Sequence, residues 1–142
     1  MPGMGILQKQ IAIVERFQAL PNWEERYKQL IALGRRLPPL PPEEQTDEAK
    51  VRGCSSSVWL HADLVDGKVR YRADSDALIV KGLVSLLLEV YSDEAPADIV
   101  KHEPLFIEEL GLNQHLSANR ANGLSSMVKQ IKTYAVALQA QG

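Results

Sequence analysis

The chain has 142 residues, 45% hydrophobic and 24% charged, which fits one ordinary globular domain and excludes disordered, collagen-like and low-complexity classes. Lys and Arg number 16 and Asp and Glu 18, a formal net charge of −2, so no basic block invites a nucleic-acid backbone. The single cysteine, Cys54, excludes an intrachain disulfide, a zinc site built on two or four cysteines and an iron–sulfur cluster held by this chain alone.

Residues 5–20 place Leu7, Ile11, Val14 and Phe17 on one stripe and predict an amphipathic helix. Pro21 and Asn22 break it. Asn22 is an N-cap with Glu25 three residues on, and Trp23, Tyr27, Leu30 and Ile31 mark one face of a second helix. Gly34 is its expected stop. Leu37-Pro38-Pro39-Leu40-Pro41-Pro42 follows, with four of the eight prolines in five residues, which reads as a polyproline-like connector. It serves either as a stiff linker or as a docking segment for an aromatic groove.

From Val58 the pattern alternates. Asp66-Gly67 is a two-residue hairpin turn, and pairing Val65 with Lys68 sorts the flanking strands into two faces. Leu64, Val69, Ala62, Tyr71, Leu60 and Ala73 form the apolar face. The other pairs Asp63 with Arg70, His61 with Arg72 and Trp59 with Asp74, and is expected to be wet. Ser75 or Asp76 is expected to cap a buried central helix ending near Tyr91. Short helical pieces are predicted near 96–101 and 104–110. A last helix over residues 120–139 carries Leu124, Met127, Val128, Ile131, Ala135 and Leu138 on one stripe. The fold class is α+β: helices on one face of a small antiparallel sheet, in one domain spanning 1–142.

A lone thiol, with no basic or apolar leader in residues 1–5, points to a reducing, cytoplasmic setting. The longest apolar stretch, Leu78–Tyr91, is cut by Lys81 and Glu89 and is too short to span a bilayer, so no membrane partner is expected.

Cys54 is the reactive candidate. It sits in Arg52-Gly53-Cys54-Ser55-Ser56-Ser57, a loop-forming run in which Gly53 leaves room for an incoming group. Arg52 is expected to lower the thiol pKa. The competing reading is a small buried hydrophobe. Hydrolysis would need a histidine base, but His61, His102 and His115 fall in polar surroundings with nothing pointing them at Cys54. Arg120 lies near a helix start, where the dipole disfavours a cation. Its partner is then Asp74, the Cys54 thiolate or another protein, unless it is a plain surface arginine. Trp59, on the polar hairpin face, either shields the thiol, docks a partner or packs under the first helices. Asp74-Ser75-Asp76 reads as a helix start before it reads as a cation site.

Gly53-Cys54-Ser55-Ser56-Ser57-Val58-Trp59 resembles the Gly-Cys-x-Ser-x-Val-Trp signature of the SufE-like sulfur-acceptor proteins, a family that includes the CsdE branch. Four further blocks resemble the family in the same order: Trp23-Glu24-Glu25-Arg26-Tyr27; Leu33-Gly34-Arg35-Arg36-Leu37-Pro38; the run from Asp74 to Leu83; and the run from Leu116 to Leu124. Ala73 and Ala121 stand where the family often has Gly and Ser. The resemblance covers residues 22–138.

It implies a fold like that of IscU-type scaffolds, with the cysteine at a loop tip. It implies that Cys54 accepts sulfur from the persulfide of a pyridoxal-phosphate cysteine desulfurase, SufS- or CsdA-like, and stimulates that enzyme. The sulfur then passes to an iron–sulfur scaffold complex or another recipient, and this chain needs no cofactor or metal of its own. Arg120 and Asp74, in matched blocks, are expected to hold the loop or the docking surface, with Arg52, Gly53 and Trp59 in support. Cys54 is expected to rest partly shielded on a loop that moves outward on docking. The alternatives are a desulfurase-activating binding module with an incidental Cys54, and a thiol redox sensor, which lacks a resolving cysteine.

Overall fold

A computed structural model describes residues 5–141, so the reading of residues 1–5 falls, Gly5 aside, outside the described residues. The helices α1 (Ile6–Gln18) and α2 (Trp23–Arg36) precede a 3-10 turn at Pro42–Glu44. The strands β1 (Val58–Val65) and β2 (Lys68–Ser75) follow. Then come α3 (Leu78–Tyr91), α4 (Pro96–Lys101), α5 (Leu105–Glu109), α6 (Leu112–His115) and α7 (Ala118–Gln141). The fold is α+β, with helices against a two-stranded antiparallel sheet.

The hairpin adopts the register the sequence predicts, from Val65 opposite Lys68 to Trp59 opposite Asp74. Asp66 (φ 52°) and Gly67 (φ 78°) both take the left-handed conformation that a tight two-residue turn needs. Leu60, Val69, Tyr71 and Ala73 are buried on the apolar face, against α3 and α7.

The opposite face is wet only towards the turn. The proline connector lies along its other end: Arg72 grips the Glu44 carboxylate at 2.6 and 2.7 Å, and His61 Nε2 donates to the Glu44 carbonyl at 2.7 Å. Asp74 is buried and Trp59 and His61 are half-buried, while Asp63, Lys68, Arg70 and Arg72 stay exposed. Leu37 and Leu40 of the connector are buried while Pro38, Pro39, Pro41 and Pro42 face solvent, which fits the stiff-linker reading. Each sheet edge carries one isolated bridge, Lys50 beside Trp59 on β1 and Glu94 beside Val69 on β2.

The core centres on α3, which touches α1, α2, α7 and β2. Its approach to α2 corrects the reading of Gly34. That glycine lies inside α2, where a Cβ would fall 2.6 Å from the Leu78 carbonyl oxygen of α3. The N-cap of α2 is as predicted, with Glu25 N–H donating to Asn22 Oδ1 at 2.9 Å. The cap of α3 is not: Ala77 holds that place with no side-chain bond. Ser75 and Asp76 are engaged elsewhere, as described below. Nothing in the local sequence pattern marks α6.

The stripe expected to anchor α1 is right at its C-terminal half, where Phe17 is buried and Val14 packs on the core, and wrong at Leu7 and Ile11. Ile6, Gln10, Ile13 and Phe17 are buried, whereas Leu7 and Ile11 are 49% and 51% exposed. A glutamine at a core position concealed the true stripe. Gln10 can be buried because both ends of its amide have a partner: Nε2 donates to the Glu103 carbonyl at 3.0 Å, and Oε1 accepts from Phe106 N–H at 2.9 Å.

Two buried phenols tie the core to its surroundings. Tyr71 donates to the Ile131 carbonyl at 2.6 Å and Tyr91 to the His102 carbonyl at 2.9 Å. Burial pushes both pKa values up, so the folded state holds these protons more tightly than the unfolded chain. Stability from this source is fully present below the ordinary phenol pKa of about 10 and is lost as pH rises beyond it. The urea midpoint is therefore expected to fall steeply above about pH 10, and Tyr71→Phe to make that fall shallower.

Candidate functional site

The loop that carries Cys54 leaves the segment beside β1 at Val51, whose N–H donates to the Val58 carbonyl at 2.8 Å, and rejoins the sheet at Val58. Its first turn needs glycine. Gly53 has φ +90°, and a Cβ there would fall 2.5 Å from Ser126 Oγ of α7. The backbone thus seats directly on the helix.

One turn earlier on α7, Gly123 receives Cys54. The thiol Sγ donates to the Gly123 carbonyl at 3.5 Å, and a Cβ on Gly123 would meet Sγ at 3.5 Å. Cys54 is half-buried in a cleft of about 30 Å³, floored by Val58, Val80, Leu83 and Met127 and rimmed by Asn119 and Arg120. Burial pushes its pKa up. The resting thiol is therefore protonated at neutral pH.

The far end of the loop is clamped by Ser75 and Asp76, the two residues expected to cap α3. Ser75 Oγ donates to the Ser57 carbonyl at 2.7 Å, Asp76 N–H donates to the same carbonyl at 3.2 Å, and Ser57 N–H donates to Asp76 Oδ1 at 3.0 Å. This is why neither side chain caps α3. Residues 54–56 lie between the Ser57 clamp and the Gly53 seat. Of the sequence signals, the one pointing to this contact is Gly123 itself. A glycine inside a helix costs about 1 kcal/mol against alanine, so its presence marks a close neighbour.

Several expected partners lie elsewhere. Arg52 is exposed and opens onto a different depression, lined by Ser126 and Lys129, and burial alone sets the direction of the Cys54 shift. The expected lowering by Arg52 does not occur. Trp59 is half-buried and outside the cleft, because it follows Val58 on a strand and successive side chains point to opposite faces. It does not shield the thiol.

Asp74 does not meet Arg120. It is 4% exposed, accepts from Leu40 N–H at 3.1 Å and Ser75 N–H at 2.8 Å, and pairs with Lys81 at 3.3 Å. It pins the proline connector to the sheet and to α3. Asp74→Ala leaves two amide donors without their acceptor and is expected to cost about 2–3 kcal/mol, read as a lower urea midpoint at unchanged slope.

Arg120 is exposed on the rim of the cleft and, among the described residues, makes no ion pair. Its backbone N–H donates to Ser117 Oγ at 3.3 Å, which closes the start of α7. Each histidine ring is spent on a backbone carbonyl: His61 on Glu44, His102 on Asp98 and His115 on Gly111. None lines the cleft. Among the described residues no group of three or more His, Cys, Asp or Glu could hold a metal, and no helix is long and apolar enough to cross a membrane.

Fold and site together define an α+β protein with one half-covered thiol on a loop that a left-handed glycine seats against α7. The chain belongs to the SufE family: the model of that family, described as an Fe-S metabolism associated domain, matches residues 11–135. An uncharacterized SufE-like protein of Synechocystis is 46% identical over 127 residues, 89% of this chain and 80% of the relative. One of Rhizobium meliloti is 43% identical over 128 residues, 87% of this chain and 91% of the relative. The solution structure of a hypothetical protein from Thermus thermophilus superposes with a TM-score of 0.77 at 27% identity, covering 93% of this chain and 96% of that one. Membership places the chain in sulfur transfer and iron–sulfur metabolism.

Proposed function

We propose that the chain acts as one domain that carries a single sulfur atom on Cys54, between a pyridoxal-phosphate cysteine desulfurase and an iron–sulfur scaffold or other recipient. The observation that carries this reading is the placement of the lone thiol. Among the described residues its one hydrogen bond is to the Gly123 carbonyl, and it sits in a cleft too small for a substrate, on a loop seated on α7 by a left-handed glycine. That arrangement suits a thiol that waits for a protein partner.

The transfer balances without oxidant or reductant. Cys54 sulfur attacks the terminal sulfur of the donor persulfide, forming one S–S bond while the donor's S–S bond breaks. The donor cysteine leaves as thiolate and takes the proton that Cys54 gives up. The best attacking thiol has a pKa near ambient pH, and burial holds the resting Cys54 above it. Docking draws residues 53–56 off α7, breaks the contact with Gly123 and exposes the thiol to water and to the donor. Activation is thereby coupled to the presence of the partner, and the persulfide folds back into shelter afterwards.

Arg120, on the cleft rim, faces the docked desulfurase and supplies charge for that contact. Asp74 acts at one remove, by fixing the connector and Lys81. The setting is the reducing cytoplasm, with no nucleic acid or membrane involved. The test is intact mass after incubation with a desulfurase and cysteine: one added sulfur per chain, removed by a reductant, supports the reading. Raised desulfurase turnover without that addition would leave a binding module instead.

A further inference from the structure

The outward stripe of α1 is an apolar surface that has no partner among the described residues. Leu7 and Ile11 lie one helical turn apart on the side of α1 turned from the core, each about half exposed, and Val14 continues the stripe at its margin. Beside them α5 presents Leu105, 47% exposed, over the buried Phe106. The two helices enclose a groove of about 220 Å³. A helix needs one apolar stripe to fold onto its core, and α1 has that in Ile6, Ile13 and Phe17. The second stripe adds little to the fold and costs solubility, which marks it as a binding surface.

The charges around the groove identify what it takes. Glu15 of α1 and Glu109 of α5 both line it, and among the described residues no cation does. Among the described residues neither carboxylate is in an ion pair. A second copy of this chain seated symmetrically would set these carboxylates against their own equivalents, since a two-fold contact is self-complementary. An anionic membrane surface is repelled in the same way.

We propose that the α1–α5 groove docks a basic amphipathic helix of another protein. Two or three aliphatic side chains at i, i+4 and i+7 would lie along Leu7, Ile11 and Leu105, with Lys or Arg reaching Glu15 and Glu109. None of the groove's lining residues lines the Cys54 cleft, so the helix can stay bound while Cys54 is engaged.

The probe is a short synthetic helix with leucines at i, i+4 and i+7 and lysines elsewhere, followed by fluorescence anisotropy and by amide shift mapping. A twin peptide with glutamates replacing the lysines is the control. The lysine peptide is expected to bind at least about tenfold tighter than its twin, with shifts confined to α1 and α5. Ile11→Asp is expected to lose that binding, and the Glu15→Lys/Glu109→Lys double variant to reverse the preference. All three positions are exposed, so circular dichroism and Cys54 alkylation rates should stay at wild-type values. Equal binding of the two peptides, shifts outside α1 and α5, or wild-type binding by Ile11→Asp would overturn the proposal. So would self-association or adsorption to anionic vesicles that Ile11→Asp abolishes. None of these outcomes depends on sulfur loading of Cys54.

Discussion

Cys54→Ser is expected to abolish sulfur uptake outright, with the folded state intact. Serine differs from cysteine by one atom, and its hydroxyl can keep the bond to the Gly123 carbonyl. The cleft loses little volume, so the urea midpoint should move by less than about 1 kcal/mol in stability terms. The chemistry has no such tolerance. No other thiol exists in the chain, and a hydroxyl does not form a persulfide. Mass analysis of this variant after incubation with desulfurase and cysteine should show no added sulfur. Sulfur retained on Cys54→Ser as a protein persulfide would end the carrier reading.

A companion measurement separates transfer from mere exposure. In the free protein the alkylation rate of Cys54 should keep rising with pH beyond the ordinary thiol range, because burial disfavours the thiolate. With the desulfurase bound, the profile should move to lower pH as the loop leaves α7. An unchanged profile on binding would mean that the partner reads Cys54 in its resting place.

The parts of this site that were legible in sequence are those fixed by local chemistry. The hairpin register follows from alternation and an Asp-Gly turn, and the register alone sets Trp59 opposite Asp74. The loop position of Cys54 follows from glycine and three serines. What could not be read was which surface each loop meets. Arg52 is two residues from Cys54 in the chain yet turns to Ser126 and Lys129, while Gly123, 69 residues away, receives the thiol. Asp74 looks like a helix start from its neighbours, but its acceptor oxygens are claimed by Leu40, which only the folded connector brings near, and by Lys81 of α3. In α1 two apolar stripes compete, and the buried one contains a glutamine. Its selection depends on Glu103 and Phe106, far along the chain. Each failure comes from tertiary pairing overriding a local pattern.

Gly82→Ala is expected to be the most damaging single-methyl change in the core. A Cβ at Gly82 would fall 2.1 Å from the Leu30 carbonyl oxygen and 2.7 Å from its carbon, both backbone atoms of α2. The contact is reciprocal: Gly34 of α2 meets Leu78 of α3 one turn away, so the two helices cross antiparallel with their backbones touching. Neither obstacle is the free end of a side chain, and the clash can be relieved only by parting the helices. Alanine recovers about 1 kcal/mol of helix propensity, but overpacking against fixed backbone costs about 3 kcal/mol or more. The net loss, about 2–3 kcal/mol, is a large share of the roughly 5–15 kcal/mol that holds such a domain. It should appear as a fall of about 10 °C in the melting temperature. Gly34→Ala, at 2.6 Å, should cost less. Because α3 also supplies Val80 and Leu83 to the Cys54 cleft, parting the helices should loosen the thiol's seat. Cys54 alkylation in folded Gly82→Ala should then run faster than in wild type, and a variant as stable and as slow as wild type would show that the helices do not cross this closely.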